Sequence, residues 1–208
     1  MDDDDEVALL HAWRAGDRAA GDELMRSYYG RVLGFFRLRV PTVAEDLTQH
    51  TFLACTEGRE RVVGSSVRGF LFGIARHLLL KHLEQSRLAE DAAELGAGQP
   101  QSILSPSGVI AQRAEHMLLL RALERLPDET QVLIAMHYVE GMRSREIAEA
   151  LGVPTSTVTT RLSRAREALR EQLTTIRAAP HTRASLLSEL DTWVSSLGPL
   201  LRGYPDAS

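Results

Sequence analysis

The stretch LGVPTSTVTTRLSRAREALR, residues 151–170, sets four arginines among a run of hydroxyl side chains and leaves only a thin apolar stripe. On a helical wheel, Val158, Leu162, Ala165, Leu169 and Leu173 share one narrow side, which has to be the buried one. Opposite them lie Thr160, Ser163, Arg164 and Glu167, flanked by Thr159, Arg161, Arg166 and Arg170. Small hydroxyls near the N-terminal end allow close approach to a groove. Arginines farther along can fork onto a guanine edge or onto phosphate oxygens. A solvated face laced with Arg–Glu pairs has the same composition, so the preceding residues have to decide. SREIAEALGVP predicts a short helix over 144–151, with Ser144 as N-cap and an apolar edge of Ile147, Ala148 and Leu151. Gly152 supplies a left-handed turn, Val153 an apolar plug, and Pro154 stands just ahead of a helix over 155–176. Two helices joined by such a turn form a helix-turn-helix, and that favours DNA contact over mere solvation.

The whole-chain balance limits how that contact could work. The 208 residues carry a formal net charge of −4, whereas a protein that finds DNA by bulk electrostatics is strongly basic. DNA binding here requires a local patch, with a partner supplying much of the affinity. A hydrophobic content of 44% supports a packed core, and an aromatic content of only 5% leans toward helical packing of Leu and Ala. The single cysteine, Cys55, excludes an internal disulfide and points to a reducing compartment. The acidic start MDDDDEVALL does not resemble a secretory signal, and no apolar run is long enough to span a bilayer. The expectation is a cytoplasmic protein without membrane insertion. His50 and Cys55 are badly spaced for joint metal ligation, and no Gly-rich phosphate loop or nucleophile–base pair stands in a recognisable context. No metal, no cofactor and no enzyme activity are expected.

The elements that must position these residues are helical throughout, giving an all-α fold class. Helices are predicted over 6–14, 19–40, 42–57 and about 65–87, with Leu24, Tyr28, Val32 and Phe35 or Phe36 on one buried side. Ser65 or Ser66 would cap the fourth. A stretch of Gly, Pro and Ser over 92–108 reads as a flexible linker. Four further apolar-periodic segments follow over 110–126, 128–139, 144–151 and 155–176. The division is therefore two small helical domains, 1–91 and 109–176, the linker between them, and a C-terminal extension over 177–208. Such a linker implies no fixed orientation of the two domains. In the extension, Leu186, Leu190, Trp193 and Leu197 fall at helical spacing. It either packs back on a domain core or covers a binding face until a signal releases it.

At this point a family resemblance enters. The run LERLPDETQVLIAMHYVEGMRSREIAEALGVPTSTVTTRLSRAREALREQL closely resembles the promoter-binding region 4 of bacterial sigma factors of the sigma-70 family. AEDLTQHTFLAC resembles the region 2 helix that grips the coiled coil of the polymerase largest subunit, and VRGFLFGIARHLLLKHL the next helix, which reads and melts the minus-ten element. Their order and the lack of room for an intermediate domain resemble the extracytoplasmic-function (ECF) subgroup. The resemblance covers about residues 19–87 and 118–173.

That resemblance implies roles for particular residues. Glu45, Asp46, Gln49 and Phe52 would bind core RNA polymerase. Arg68, Phe70, Arg76, His77 and Lys81 would serve the minus-ten element of promoter DNA. Thr157, Thr159, Thr160, Arg161, Ser163, Arg164 and Arg166 would serve the minus-thirty-five element. An anti-sigma factor, on a separate chain, is the regulator the subgroup implies. There are departures from the family pattern. Ser156 stands for the usual Gly, Phe70 for Trp, His77 for Asn, and Lys81 and Glu84 for Asp and Arg. Exchanging amide and carboxylate for imidazole and ammonium changes the donor pattern, so an atypical minus-ten sequence is expected. Residues 57–66 resemble the loop that captures a flipped base, without a match close enough to assign roles. Two other readings share these residues. One is a self-sufficient helix-turn-helix repressor, and the other a sigma mimic that titrates an anti-sigma factor.

Overall fold

A computed structural model describes residues 3–37, 39–61, 67–92 and 114–202. The predicted linker beyond Ala92, which ends a helix, and the Ser65 and Ser66 caps lie outside these residues. In chain order the helices are α1 (Asp3–Arg14), α2 (Arg18–Arg37), α3 (Ala44–Glu57), α4 (Val67–Ala92), α5 (Ala114–Glu124), α6 (Asp128–Ile134), α7 (Ser144–Leu151), α8 (Thr155–Thr175), α9 (Pro180–Ser188) and α10 (Leu190–Arg202). There is no strand among the described residues, and none of the described helices is long and apolar enough to cross a membrane.

The first block is built on α2. Leu24, Tyr28, Val32, Phe35 and Phe36 are all buried on it, as the wheel predicts. Asp17 starts the helix by accepting hydrogen bonds from the Ala19 and Ala20 amides at 2.9 and 3.2 Å. Pro41 ends the run, opening a 3-10 turn (Pro41–Val43) that leads into α3. Phe35 meets Phe72 of α4 edge to face, with centroids 5.5 Å apart. On α3, Thr48 and Thr51 are fully buried, and their hydroxyls donate to the carbonyls of Ala44 and Leu47 at 2.7 Å. Cys55 lies between α3 and α4 with its thiol pushed up to about 12 by burial, the behaviour of a small hydrophobe rather than a reactive thiol.

The second block starts with α5. Its C-terminal carbonyls at Glu124 and Leu126 are met by the Gln131 side-chain amide at 3.4 and 2.6 Å, across the Leu126–Pro127 break. α6 then runs into a π-helical turn, Ala135–Val139, where the sequence pattern predicts continuous helix. α7 begins at Ser144, which is its first helical residue. The N-cap is Arg143, whose amide donates to the Glu146 carboxylate at 2.7 Å. That shifts the predicted cap by one residue. Gly152 closes α7 at φ 63° and ψ 35°, the left-handed conformation expected of it.

The extension forms two helices, separated at Glu189, rather than a single apolar run. Leu186, Leu190, Val194 and Leu197 are buried. Arg183 of α9 donates to the Leu173 and Ile176 carbonyls at 3.2 and 2.7 Å, satisfying the C-terminus of α8. α10 packs on α5 and on the π-helical turn, and it also reaches α2 in the first block. Buried residues of both blocks and of the extension form a single contiguous cluster. The independent orientation predicted from the linker composition is therefore not what the described residues show. The two blocks are packed together, through contacts between residues too far apart in sequence for a local pattern to reveal.

Candidate nucleic-acid and polymerase interfaces

The α8 residues divide as the wheel requires. Val158, Leu162, Ala165, Leu169 and Leu173 are each at most 4% exposed, while Thr159, Thr160, Arg161, Ser163 and Arg164 face outward. The Thr159 and Thr160 hydroxyls donate to the Thr155 and Ser156 carbonyls at 3.0 and 2.9 Å, which leaves their oxygens as acceptors on the outer face. Thr157 is half-buried. Arg166 lies at the edge of this face, and its guanidinium is 3.7 Å from Asp191 of α10. Asp191 also accepts a hydrogen bond from Tyr138 at 2.6 Å. Burial, then the Asp191 bond, pushes that phenol up to about 12 against the opposing influence of Arg166. Seven predicted groups thus sit on one helix, six of them clear of the extension and one tied to it.

On α3, Glu45, Asp46 and Gln49 are exposed and Phe52 is half-buried. Glu45 lies 3.5 Å from Arg37. The structure adds two residues that sequence reasoning missed. Tyr29 stacks on Phe52 with centroids 6.0 Å apart and planes at 16°, and stays 43% exposed. Leu53 beside it is 57% exposed. An acidic and amide row next to an exposed apolar patch suits a partner surface with a hydrophobic centre and a basic rim. The outward position of Tyr29, directly after buried Tyr28 on the α2 wheel, was the available signal.

On α4, Arg68, Phe70, Arg76, His77 and Lys81 lie on two adjoining faces. His77 and Lys81 are exposed and Phe70 is half-buried. Phe70 and His77 border a groove of about 430 Å³, together with Gly58 and Ala54 of the first block and Glu149 and Ala150 of α7. Arg68 and Arg76 do not project freely. Arg68 lies 3.7 Å from Glu146 of α7, and Arg76 hydrogen-bonds Glu129 of α6. A second cavity, of about 560 Å³, has Arg76, Arg161 and Arg164 on its walls and Leu133, Met136 and Ala168 among its apolar lining. It brings predicted minus-ten and minus-thirty-five arginines from both blocks to one opening. Among the described residues no group of three or more His, Cys, Asp or Glu is placed to hold a metal ion.

Comparison with known proteins accounts for both blocks. The family models for sigma-70 region 2 and sigma-70 region 4 match residues 24–88 and 116–169. The ECF RNA polymerase sigma factor SigL of Mycobacterium tuberculosis is 30% identical over 165 residues, covering 75% of this chain and 92% of its own. RpoE of Cereibacter sphaeroides, also an ECF RNA polymerase sigma factor, is 30% identical over 174 residues, covering 81% of this chain and 95% of its own. SigE of Mycolicibacterium smegmatis is 30% identical over 169 residues, and the match spans 64% of that longer protein. The fold is similar to that of CnrH in complex with the cytosolic domain of CnrY, with TM-score 0.55 and 18% identity over 83% of this chain and 99% of that one. It is also similar to RpoE of Bartonella quintana in complex with the anti-sigma factor NepR, with TM-score 0.57 and 23% identity over 75% and 98%. The chain belongs to the extracytoplasmic-function subgroup of the sigma-70 family of RNA polymerase sigma factors.

Proposed function

We propose that the chain is a cytoplasmic promoter-specificity subunit, with no catalysis of its own, divided into a region 2 domain (1–91), a linker (92–108), a region 4 domain (109–176) and an extension (177–208). Region 2 binds core RNA polymerase through Glu45, Asp46, Gln49 and Phe52, with Tyr29 and Leu53 enlarging the apolar centre. It reads and melts the minus-ten element with Arg68, Phe70, Arg76, His77 and Lys81. Region 4 lays α8 in the major groove of the minus-thirty-five element. There Thr157, Thr159, Thr160 and Ser163 allow close approach, and Arg161, Arg164 and Arg166 contact base edges and phosphates. Polymerase supplies much of the DNA affinity, which reconciles promoter binding with the acidic balance of the chain. The anti-sigma factor NepR bound to the structurally similar RpoE of Bartonella quintana supports an anti-sigma factor here as well.

The observation that carries this reading is the division of α8, an apolar stripe wholly buried and Thr159, Thr160, Arg161, Ser163 and Arg164 exposed opposite it, placed directly after the left-handed Gly152 turn. The test is in vitro transcription with bacterial core polymerase, this chain and a pool of promoter fragments, with transcript starts sequenced. Specific starts sharing two upstream elements are expected. Operator-tight binding without polymerase would instead establish the repressor, and core binding without any specific start would establish the mimic.

A further inference from the structure

We propose that the larger cavity, beside α8, is a binding site for an organic phosphate, a phosphate monoester with an apolar body, and that this ligand competes with minus-thirty-five DNA for Arg161 and Arg164. The competition rests on the functional reading above; the site itself does not.

The charges point to the head group. Arg161, Arg164, Ala165 and Ala168 follow one another at i, i+3, i+4 and i+7 along α8, so they share one flank, the one that lines the cavity. Four arginines stand on this helix. Arg166 lies 3.7 Å from Asp191, and Arg170 lies 3.9 Å from Glu167. Arg161 and Arg164, the two on the cavity, have no carboxylate partner among the described residues. Arg76 of α4 adds a third guanidinium to the wall, but it is already hydrogen-bonded to Glu129, the carboxylate of the lining. The site therefore holds two uncompensated positive charges one helical turn apart. A carboxylate ligand would satisfy one of them. A phosphate monoester is close to a dianion at pH 7, and its terminal oxygens accept from two guanidinium forks at once.

The floor points to the body. Leu133, Met136 and Ala165 are each at most 6% exposed and form an apolar base beneath the arginines. The volume of about 560 Å³ lies within the range of small-molecule sites, roughly 300–1,000 Å³, and is far more than a free phosphate ion fills. DNA held by the outer ends of Arg161 and Arg164 would leave this base uncovered, whereas an apolar body removes it from water. Apart from Arg76, the lining runs from Pro127 to Ala168 within the second block, so the site does not depend on how the two blocks are packed.

The experiment is calorimetric titration of the full chain with 1-naphthyl phosphate, beside 1-naphthoate and inorganic phosphate. Saturable one-to-one binding is expected for the first, at least about tenfold tighter than for either of the others, because naphthoate lacks the second charge and inorganic phosphate lacks the body. Affinity should fall as the pH is lowered through about 6, where the phosphate loses that charge. Arg161→Gln/Arg164→Gln should weaken binding at least about tenfold. Ala168→Phe puts a ring into the cavity, leaves every charge in place and should abolish binding. Circular dichroism checks that both variants keep their helix, and the arginine pair decides the case in which Ala168→Phe unfolds. Equal affinity for naphthoate or inorganic phosphate, or unchanged binding by a folded variant, would overturn the proposal. Octyl phosphate and 5′-AMP, run as competitors, distinguish a lipid source of the phosphate from a nucleotide one, and displacement by neither would also overturn it. At nine-tenths saturation the ligand should raise the promoter concentration needed for half-maximal transcription by about tenfold. No change there would refute the competition. Absence of core-dependent transcription with and without ligand would instead refute the functional reading, and the titration alone would then decide the site.

Discussion

Gly73→Ala separates the packing of the two blocks from the stability of either. Gly73 lies inside α4 with an ordinary helical backbone, so alanine there improves helix propensity by about 1 kcal/mol. The new methyl group meets the Ala150 carbonyl oxygen at 3.0 Å and the Ala150 Cβ at 3.6 Å, and backbone cannot swing aside as a side-chain tip would. Overpacking of this kind costs about 1–3 kcal/mol. α7 has little freedom to retreat, because it also packs on α8, with Ile147 and Ala148 buried. The strain vanishes when the blocks part, whereas the propensity gain remains. The closed–open equilibrium should therefore move toward open by about 5- to 150-fold, the same 1–3 kcal/mol expressed as a ratio. The assay is energy transfer between dyes at Arg14→Cys and Arg177→Cys, both exposed positions while Cys55 is buried, read beside the thermal melt of region 2. Lower transfer with an unchanged or raised melt is expected. A raised melt with undiminished transfer would mean that α7 yields and the crossing is not tight, and the reasoning would fail.

Other outcomes follow from single side chains. Arg164→Ala should weaken binding to a mapped minus-thirty-five element by about 1–3 kcal/mol and relax preference at one base position; a uniform loss across all sequences, with a shallower salt dependence, would make Arg164 a phosphate contact only. His77→Asn should shift the minus-ten consensus recovered from transcript starts, and an identical consensus would remove His77 from base reading. Cys55 should resist thiol reagents at pH 8 in the folded chain and react at the rate of unfolding. Burial raises its thiol from 9.0 to about 12, so the stability it contributes is complete below pH 9 and is lost as the pH rises toward 12. Fast labelling at pH 8 would contradict its enclosure.

What the sequence discloses depends on the range of the interaction that determines it. The α8 stripe, the Gly152 turn and the buried side of α2 are fixed by residues within a few turns of one another, and periodicity finds them. The break at Pro127 is equally legible, although the Gln131 side chain that satisfies the carbonyls before it is not an obvious cap. The π-helical turn at Ala135–Val139 escapes a wheel drawn at constant pitch. Arg68 and Arg76 are legible as cations on α4, but their partners Glu146 and Glu129 are in another block. The Gly-, Pro- and Ser-rich linker suggests independence of the two domains because composition describes the connection and says nothing of the surfaces it allows to meet. Arg39 carries no local signal at all. Only its socket, made by residues from 123 to 197, distinguishes it from any surface arginine.

The pairs across the boundary also differ among themselves in a way that matches two tasks. Arg76 and Glu129 are 24% and 61% exposed, and such a pair contributes about 0–1 kcal/mol. Arg39 and Asp128 are 5% and 23% exposed, and breaking a pair buried to that degree is far more costly while the socket stays shut. Yet the Nε of Arg39, like that of Arg68, is buried without a hydrogen-bond acceptor among the described residues. Each such donor offsets about 1–3 kcal/mol of the closed state's stability and regains water on opening. Arg39 therefore gives the closed arrangement of the blocks its register, and its imperfect satisfaction keeps the arrangement reversible. Arg76, paired with an exposed Glu129, is merely covered. Region 4 is net neutral over residues 109–176, yet its carboxylates at Asp128, Glu129 and Glu146 lie at the block boundary, where they neutralise Arg39, Arg76 and Arg68 of the first block.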